Sequence, residues 1–302
     1  MDIIGLGEAM VEFNQISSDN NYAAGFGGDT SNCIVAAARQ GARAGYISAV
    51  GSDAFGDLLI RMWEDEGVDV VTVQSCAGAS TGIYFVTHSD AGHQFTYYRK
   101  GSAASLMTPS EMPRDAIKSA EILHISAISQ AISESACDSV FAAIKIAKDA
   151  GVIISYDTNL RLSLWPLDRA TAIIQRTALL CNILFQSLSD AQVLTKLEDP
   201  KAICDLYLEL GVGMVAMTMG EQGAIIATPE RREWLAPHKI NCLDSTGAGD
   251  TFGGAFLARI VAGDDAFEAG QYANAAAALS TTGFGATGPI PKPDAVRALM
   301  SS

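Results

Sequence analysis

The chain has 302 residues, of which 49% are hydrophobic and 18% are charged. This composition excludes a disordered chain and is sufficient to form one large core. The formal net charge is −14, which excludes nucleic acid and anionic membrane surfaces as general partners. An acidic chain can still bind a small anion where backbone N–H groups, a helix N-terminus, a metal ion or a few arginines reverse the local potential.

Short apolar runs bounded by turn residues predict buried strands along the chain. They lie at 3–6, 44–50, 122–125, 152–156, 183–185, 214–218 and 223–227. Helix-like stretches lie between many of them, at 30–40, 57–65, 133–150, 170–180 and 200–210. The alternation predicts an α/β fold with a mostly parallel sheet.

The interval 71–99 interrupts this alternation. VTVQ, GIYFVTHS and HQFTYYRK are strand-like, and a turn at 90–92 would join the last two as a hairpin. We interpret residues 71–100 as the main part of a small β-rich lid, with a contribution from 11–24, on a single domain that spans 1–302. A lid can exclude water from a reaction that water would otherwise intercept.

Neither a disulfide framework nor a targeting segment is apparent. The six cysteines are scattered, with no CxxC or Cys/His ligand spacing, which predicts reduced thiols. The first residues, MDIIGLGEAMVEF, lack the basic region and long apolar stretch of a signal peptide, and no later run is long enough to span a membrane. The sequence therefore predicts a cytoplasmic location with no membrane partner.

The segment DSTGAGD at 244–250 places small residues and an aspartate before an apolar, helix-like stretch. Gly247, Ala248 and Gly249 would lie at a helix N-terminus, where unpaired N–H groups and the helix dipole favour an anion such as a phosphoryl group. Asp250 would lie beside that anion, where a carboxylate can deprotonate an attacking hydroxyl. Taken alone, Asp250 could equally well cap the helix.

Other motifs accompany this segment: GFGGDTSNCIVAAARQG at 25–41, AVGSDAFGD at 49–57 and TMGEQG at 218–223. Together with DSTGAGDTFGGAF they resemble the signatures of the ribokinase-like (PfkB) carbohydrate kinases, in the same order and over nearly the whole chain. The resemblance implies a three-layer α/β/α sandwich with a mostly parallel sheet and a β lid, through which a homo-oligomer would dimerise. It also implies an ATP-dependent sugar kinase in which Asp250 is the catalytic base.

The same resemblance assigns roles to individual residues. Gly27, Gly28 and Asn32 would contact the sugar, and Asp190 would organise Mg²⁺ through water, although Ser187 and Asp190 replace the family's Asn and Glu. ATP and Mg²⁺ are the implied cofactors, and a monovalent cation is an option. The implied nucleotide-binding residues are Ser187, Thr218, Gly220, Gly223, Gly247, Gly249 and Asn274. For Asn274, helix packing is an equally good explanation.

Within the family, YYRKGSA at 97–103, HIS at 124–126 and DTNLR at 157–161, followed by LW, are similar to elements of 2-keto-3-deoxygluconate kinases. By that resemblance Tyr84, Tyr97, Arg99 and Arg161 would contact the sugar acid, and the product would be 2-keto-3-deoxy-6-phosphogluconate. A physical argument agrees: among only 20 basic residues, two arginines lie in segments expected at the site, and arginine binds carboxylates through paired hydrogen bonds.

Several alternatives stay open. The subgroup's glycine is absent at 126–128, so a neutral sugar such as fructose or ribose is an alternative substrate. Arg161 could then neutralise nucleotide phosphates, and Arg99 could simply end a lid strand. A sugar-binding sensor without catalysis is a second option, against which the intact GAGD argues. An NAD-dependent oxidoreductase would rest on GFGATG at 283–288, which follows a helical stretch instead of opening a first βαβ unit.

Overall fold

The computed structural model describes residues 1–16, 21–89 and 92–301. The strands, numbered in chain order, are β1 Ile3–Leu6, β2 Met10–Gln15, β3 Tyr22–Gly27, β4 Ala44–Gly51, β5 Val73–Cys76, β6 Ile83–Ser89, β7 Gly92–Tyr98, β8 Ile122–Ser126, β9 Ile153–Asp157, β10 Ile183–Ser187, β11 Met214–Thr218, β12 Ala224–Ala227 and β13 Arg232–Leu235. The α-helices are α1 Asp29–Arg39, α2 Ala54–Asp65, α3 Arg114–Ser119, α4 Ala127–Ala131, α5 Glu134–Ala150, α6 Leu167–Ala178, α7 Leu188–Thr195, α8 Pro200–Glu209, α9 Ala248–Val261, α10 Ala266–Ser280 and α11 Pro293–Met300.

The described strands form a nine-stranded main sheet in the order β13-β12-β11-β10-β9-β8-β1-β4-β5. Its pairings from β5 to β11 are parallel, and β12 and β13 continue it as antiparallel strands. The order changes direction at β1, because β4 lies on one side of β1 and β8 on the other. Ligands bind at such switch points, outside the carboxyl ends of parallel strands.

Both faces of the main sheet are covered by helices, so its central strands are mostly apolar and buried. Successive strand residues point to opposite faces: Ile3, Ile122 and Ile183 join a core with helices α1, α2, α9, α10 and α11. Their neighbours Ile4, Leu123 and Leu184 join a second core with α3 and α5 to α8. The predicted three-layer α/β/α sandwich is therefore present.

The lid is a separate four-stranded sheet in the order β3-β2-β6-β7. Strands β6 and β7 pair antiparallel, as predicted, while the turn residues 90 and 91 lie outside the described residues. The predicted contribution from 11–24 consists of β2 and β3, except that residues 17–20 also fall outside the described part. One assignment was wrong: the strand at Val73–Cys76 pairs with β4 at the edge of the main sheet and does not belong to the lid.

Helices α1 and α9 cross unusually closely at the glycines of the GAGDTFGG segment. A Cβ on Gly254 would lie 2.1 Å from the backbone oxygen of Cys33, far inside the 3.4–4 Å of an ordinary van der Waals contact. Only glycine fits this crossing without displacing α1. The close approach brings the first turn of α1 next to the first turn of α9.

Helix ends follow the expected local chemistry. Asp53, Ser133 and Asp265 cap α2, α5 and α10 by accepting hydrogen bonds from backbone N–H groups of the first turn. Gly151 ends α5 in the left-handed conformation. Among the described residues no helix is both long and apolar enough to cross a membrane.

Candidate active site

A cavity of about 840 Å³ lies between the lid and the carboxyl ends of the main-sheet strands. The sheet contributes Asp157 from the end of β9, Ser187 from β10 and Thr218 from β11. The predicted site residues that line the cavity are Gly27, Gly28, Asn32, Tyr84, Tyr97, Arg99, Arg161, Ser187, Asp190, Thr218, Gly247, Gly249 and Asp250. Residues from distant parts of the sequence therefore meet in one place.

Asp250 lies in the first turn of α9, at the bottom of this cavity. Gly247 precedes the helix with a positive φ of 75°, and a Cβ there would lie 2.8 Å from the carbonyl oxygen of Ala286, so glycine is required. Ala248 donates its N–H to Ser245 O at 3.2 Å and does not line the cavity. The N–H groups of Gly249 and Asp250 are first-turn donors that an α-helix leaves without an internal acceptor.

Asn32 connects α1 to the aspartate. Its Nδ2 donates to Asp250 Oδ2 at 2.8 Å, while its own Oδ1 is buried and has no partner among the described residues. The chain enters α1 through Gly28, whose φ is 128° and where a Cβ would lie 2.5 Å from Glu8 O. A Cβ on Gly27 would lie 2.2 Å from Tyr84 Oη. Both predicted glycines thus allow lid and helix to approach each other.

The environment of Asp250 disfavours its charged form. Burial raises its pKa to about 7, and the negative charge of Asp29 acts in the same direction. The hydrogen bond from Asn32 and the positive charge of Arg161 oppose this rise. A carboxylate with a pKa near neutrality is suited to act as a general base near pH 7.

Two further carboxyl groups, neither of which was predicted, line the same region. Asp29, the first residue of α1, is 9% exposed and accepts a hydrogen bond from Asn159 Nδ2 at 3.0 Å. Asp157 accepts the backbone N–H of Asn159 at 3.1 Å. Burial and the neighbouring carboxylates raise the pKa of Asp157 well above its usual range.

Arg99 is held in the cavity wall by Glu8, which lies between β1 and β2. The Arg99 Nε donates to Glu8 Oε2 at 2.7 Å, its Nη2 forms an ion pair with the same oxygen, and Ser102 Oγ donates to Glu8 Oε1. Glu8 is 3% exposed. The Arg99 guanidinium therefore lines the cavity, and the Glu8 carboxylate compensates its positive charge.

Two lid tyrosines form the upper wall of the cavity. Tyr84 is buried and donates its hydroxyl to Glu12 Oε2 at 2.5 Å. Tyr97 stacks on Tyr84 with ring centroids 5.5 Å apart and is 45% exposed. Burial raises the pKa of both phenols, so they remain neutral hydrogen-bonding groups at physiological pH.

Arg161 and Asp190 lie on the opposite side of the cavity, near β10. Asp190 receives the backbone N–H of Leu160 at 3.0 Å, and its own N–H donates to Ser187 Oγ, which caps α7. Arg161 donates to Leu160 O at 3.0 Å and is otherwise exposed. Burial raises the pKa of Asp190, while this hydrogen bond and the charge of Arg161 lower it.

Three predicted nucleotide residues do not line this cavity. Gly223 has a φ of 88°, and a Cβ there would lie 2.0 Å from Leu235 O, which explains the glycine by packing. Gly220 begins a short 3₁₀ turn with a φ of 57°. Asn274 lines a second cavity of about 280 Å³ and donates to Ala236 O at 2.8 Å. Their contact with a nucleotide stays a prediction.

The GFGATG segment supports the loop before α9. Asp244 Oδ2 accepts the N–H of Gly285 at 2.9 Å, and Asp244 Oδ1 accepts the N–H of Thr246 at 2.9 Å. Ala286 contacts the position of Gly247 and lines the cavity. The segment thus shapes the loop of DSTGAGD and does not open a first βαβ unit, as a dinucleotide fingerprint would.

Residues 1–293 match the pfkB family carbohydrate kinases. The chain belongs to this family. It is 32% identical over 312 residues to 2-dehydro-3-deoxygluconokinase of Bacillus subtilis (strain 168), covering 100% of this chain and 96% of the relative. It is also 32% identical over 322 residues to fructokinase-1 of Oryza sativa subsp. japonica, covering 99% of this chain and 98% of the relative.

A crystal structure from E. coli, described as a ribokinase II candidate in complex with ATP and Mg²⁺, superposes with a TM-score of 0.92 at 27% identity, covering 99% of each chain. The ribokinase-like fold and the assignment as a sugar kinase of the PfkB family are thus confirmed. The kinase relatives do not support the alternatives of an oxidoreductase or of a kinase-like fold that only binds sugar.

Four residues at this site were not predicted from the sequence motifs: Glu8, Asp29, Asp157 and Asn159. Asp29 stands next to Gly28 in GGDTSN, and Asp157 and Asn159 stand in DTNLR, so both motifs were noted for other residues. The available signal for Asp29 was its position, because it is an acidic residue directly after a glycine pair at the start of a helix. Glu8 gave none, because its role depends on Arg99, 91 positions away.

Proposed function

We propose that this sugar kinase transfers the γ-phosphoryl group of ATP to the terminal hydroxyl of 2-keto-3-deoxygluconate. In this reaction Asp250 removes the hydroxyl proton, the freed oxygen forms a bond to the γ-phosphorus, and the bond from that phosphorus to the β-phosphate oxygen breaks, so that ADP leaves. The observation that carries the proposal is the half-buried Asp250, held by Asn32 at the first turn of α9 inside a cavity lined by Arg99 and Arg161.

Several features support the role of Asp250. It lies in the first turn of α9, whose N–H donors favour a phosphoryl group. The unpartnered Oδ1 of Asn32 can accept a hydrogen bond from a sugar hydroxyl and align it. Lid strands β6 and β7 cover this region, which favours exclusion of water from the transfer.

The donor set of the cavity is compatible with Mg²⁺. No group of three or more His, Cys, Asp or Glu side chains in the described part of the chain is arranged to hold a metal ion by itself. Mg²⁺ binds through one or two carboxylates, water and nucleotide phosphates. Asp190 lines the cavity and would organise the ion through water. When bound with ATP, Mg²⁺ would neutralise charge that develops on the phosphates. A monovalent cation stays an option.

Charge in the cavity bears on the acidic substrate. Among the described residues that line it, five are Asp or Glu and two are Arg, so an acidic sugar needs these two arginines. Arg161 is exposed to the cavity, and within the described part of the chain its one hydrogen bond is to Leu160 O. Its guanidinium can therefore still bind a carboxylate in a paired geometry.

A neutral sugar of the fructose type is the second candidate. The observation in its favour is the ion pair between Arg99 and Glu8, which compensates one of the two arginine charges before any substrate arrives. Sequence similarity does not separate the two, because the 2-dehydro-3-deoxygluconokinase of Bacillus subtilis and the fructokinase-1 of Oryza sativa have the same 32% identity with this chain.

Purified enzyme, ATP and Mg²⁺ should be assayed for ADP release with 2-keto-3-deoxygluconate, gluconate, fructose, ribose and adenosine. We expect selective turnover of the keto-deoxy acid. Turnover of fructose or ribose with no turnover of the acid would reject the acidic substrate and retain the kinase. An Asp250→Asn variant serves as the control that separates enzyme turnover from contaminating activity.

We also propose that two copies of the chain associate through their lids. Strand β7 is an outer strand of the lid sheet, and Phe95 and Tyr98 on it are 46% and 62% exposed. Exposed aromatic residues on an edge strand favour pairing with a second sheet. Sedimentation should give a dimer that Tyr98→Arg converts to a monomer, whereas a monomeric wild-type protein would contradict the proposal. A cytoplasmic location stays a prediction from the sequence.

A further inference from the structure

Asp29 has no part in the mechanism described so far, yet it is almost completely buried in the active-site wall. It is 9% exposed, lines the cavity and occupies the first position of α1. A buried carboxylate is costly unless it is paired or has a function. Its partner is a neutral amide, Asn159, and no cation contacts it in the described part of the chain.

Helix geometry fixes the relation of Asp29 to the base. Residues three apart on a helix lie on the same face, so Asp29 lies one turn before Asn32, whose Nδ2 holds Asp250 at 2.8 Å. The close crossing of α1 and α9 at Gly254 fixes the distance between these two first turns. Asn159, on the loop after β9, anchors the Asp29 carboxylate from the other side at 3.0 Å.

We propose that Asp29 is a positioning residue of the phosphoryl-transfer reaction: its negative charge, held near Asp250 by Asn159, makes Asp250 a stronger base. This inference rests on the proposed role of Asp250 and does not depend on which sugar is the substrate. Like charges in one buried site disfavour ionisation of the weaker acid. The Asp29 charge is accordingly the second cause, after burial, of the raised pKa of Asp250.

Charged and titratable groups on α1, on β6, at the end of β9 and on the loop after β9 interact with Asp250. Arg161 opposes Asp29 from the loop after β9. Burial raises the pKa values of the other titratable neighbours, and the charge of Asp250 acts in the same direction: Cys33 on α1, Tyr84 on β6 and Asp157 on β9. Among the charges that act on Asp250 in the described part of the chain, Asp29 is the one that raises its pKa.

The test is the pH profile of kcat/KM for whichever sugar the enzyme phosphorylates, because this profile reports the pKa of the essential base before the sugar binds. Asp29→Asn should move the acidic midpoint to lower pH by about 1 unit. It should also lower the plateau of kcat several-fold, because a weaker base accepts the proton less readily. Asp29→Glu, which retains the charge, should restore the wild-type midpoint.

Asp57→Asn is the matched control, because Asp57 also lies in the first turn of a helix but is exposed on α2, away from the cavity. If Asp29→Asn does not fold, Asp29→Ser should give the same downward shift. A midpoint that does not move, or that moves upward, would overturn the inference. A higher KM with an unchanged midpoint would instead assign Asp29 to sugar binding.

A measurement without turnover separates this inference from the proposed function. In protein labelled with ¹³C at the aspartate carboxyl groups, the resonance missing from Asp250→Asn identifies Asp250, and its titration can be followed directly by NMR. Asp29→Asn should shift this titration downward in the absence of substrate. Unchanged activity of Asp250→Asn would reject the assignment of Asp250 as the base. An unshifted titration of Asp250 in Asp29→Asn would reject only the role of Asp29.

Discussion

Asp250→Asn should stabilise the protein while it abolishes activity. The folded protein raises the pKa of Asp250 from its ordinary 3.8 to about 7, so ionisation of this buried group opposes folding. A carboxyl group with a raised pKa contributes stability below its unfolded pKa, and this contribution is lost as pH rises through the folded pKa. Asparagine resembles the protonated acid in shape and charge, and so avoids the loss.

The magnitude follows from the pKa shift. Linkage gives a stabilisation by Asp250→Asn of about 2 kcal/mol at about pH 5.5 and about 4 kcal/mol at about pH 8.5. With an unfolding entropy of about 2.1 cal/mol/K per residue, a chain of this length gains roughly 3–4 °C in Tm at the lower pH and roughly 6–7 °C at the higher. Turnover should fall by about 10²–10⁴-fold because proton removal is lost.

Thermal unfolding followed by circular dichroism without ligands, at both pH values, measures the effect. Asp57→Asn provides the control for removal of one negative charge from an acidic surface. A Tm difference that does not grow between the two pH values would refute the reasoning, because only a titrating Asp250 produces that growth. A less stable Asp250→Asn at the higher pH would refute it as well.

Three further predictions concern packing, buried histidine and substrate charge. Gly254→Ala should cost about 1–3 kcal/mol and reduce turnover by separating α1 from α9, whereas Gly253→Ala, whose Cβ has no contact closer than 3.5 Å, should be tolerated in chemical denaturation. Burial lowers the pKa of His124 to about 4. The free energy of unfolding should therefore fall as pH drops below about 6.5, and His124→Asn should reduce the proton uptake on unfolding in this pH range by about one proton. Arg161→Ala should raise KM for an acidic sugar more than for a neutral one, and equal losses would assign Arg161 to phosphate or to structure.

The sequence alone was sufficient for much of the fold. Apolar runs such as 44–50 and 214–218 are buried strands because both faces of a parallel sheet are covered by helices, which makes their composition distinctive. The edge strand Arg232–Leu235 was missed, because its alternating exposure and two charged residues lack that signal. Val73–Cys76 was assigned to the wrong sheet, since a strand's composition does not name its partner.

The sequence also determined which local segment could bind a phosphoryl group. Gly247 to Asp250 form a glycine-rich turn followed by a helix, and both the positive φ and the first-turn N–H groups follow from neighbouring residues. Only the tertiary structure decided what surrounds that turn. Asn32 on Asp250, Glu8 on Arg99 and Asp29 on Asn159 join residues separated by 218, 91 and 130 positions. Burial and charge at such contacts set the pKa of Asp250, because electrostatic interactions depend on distance in space and not along the chain.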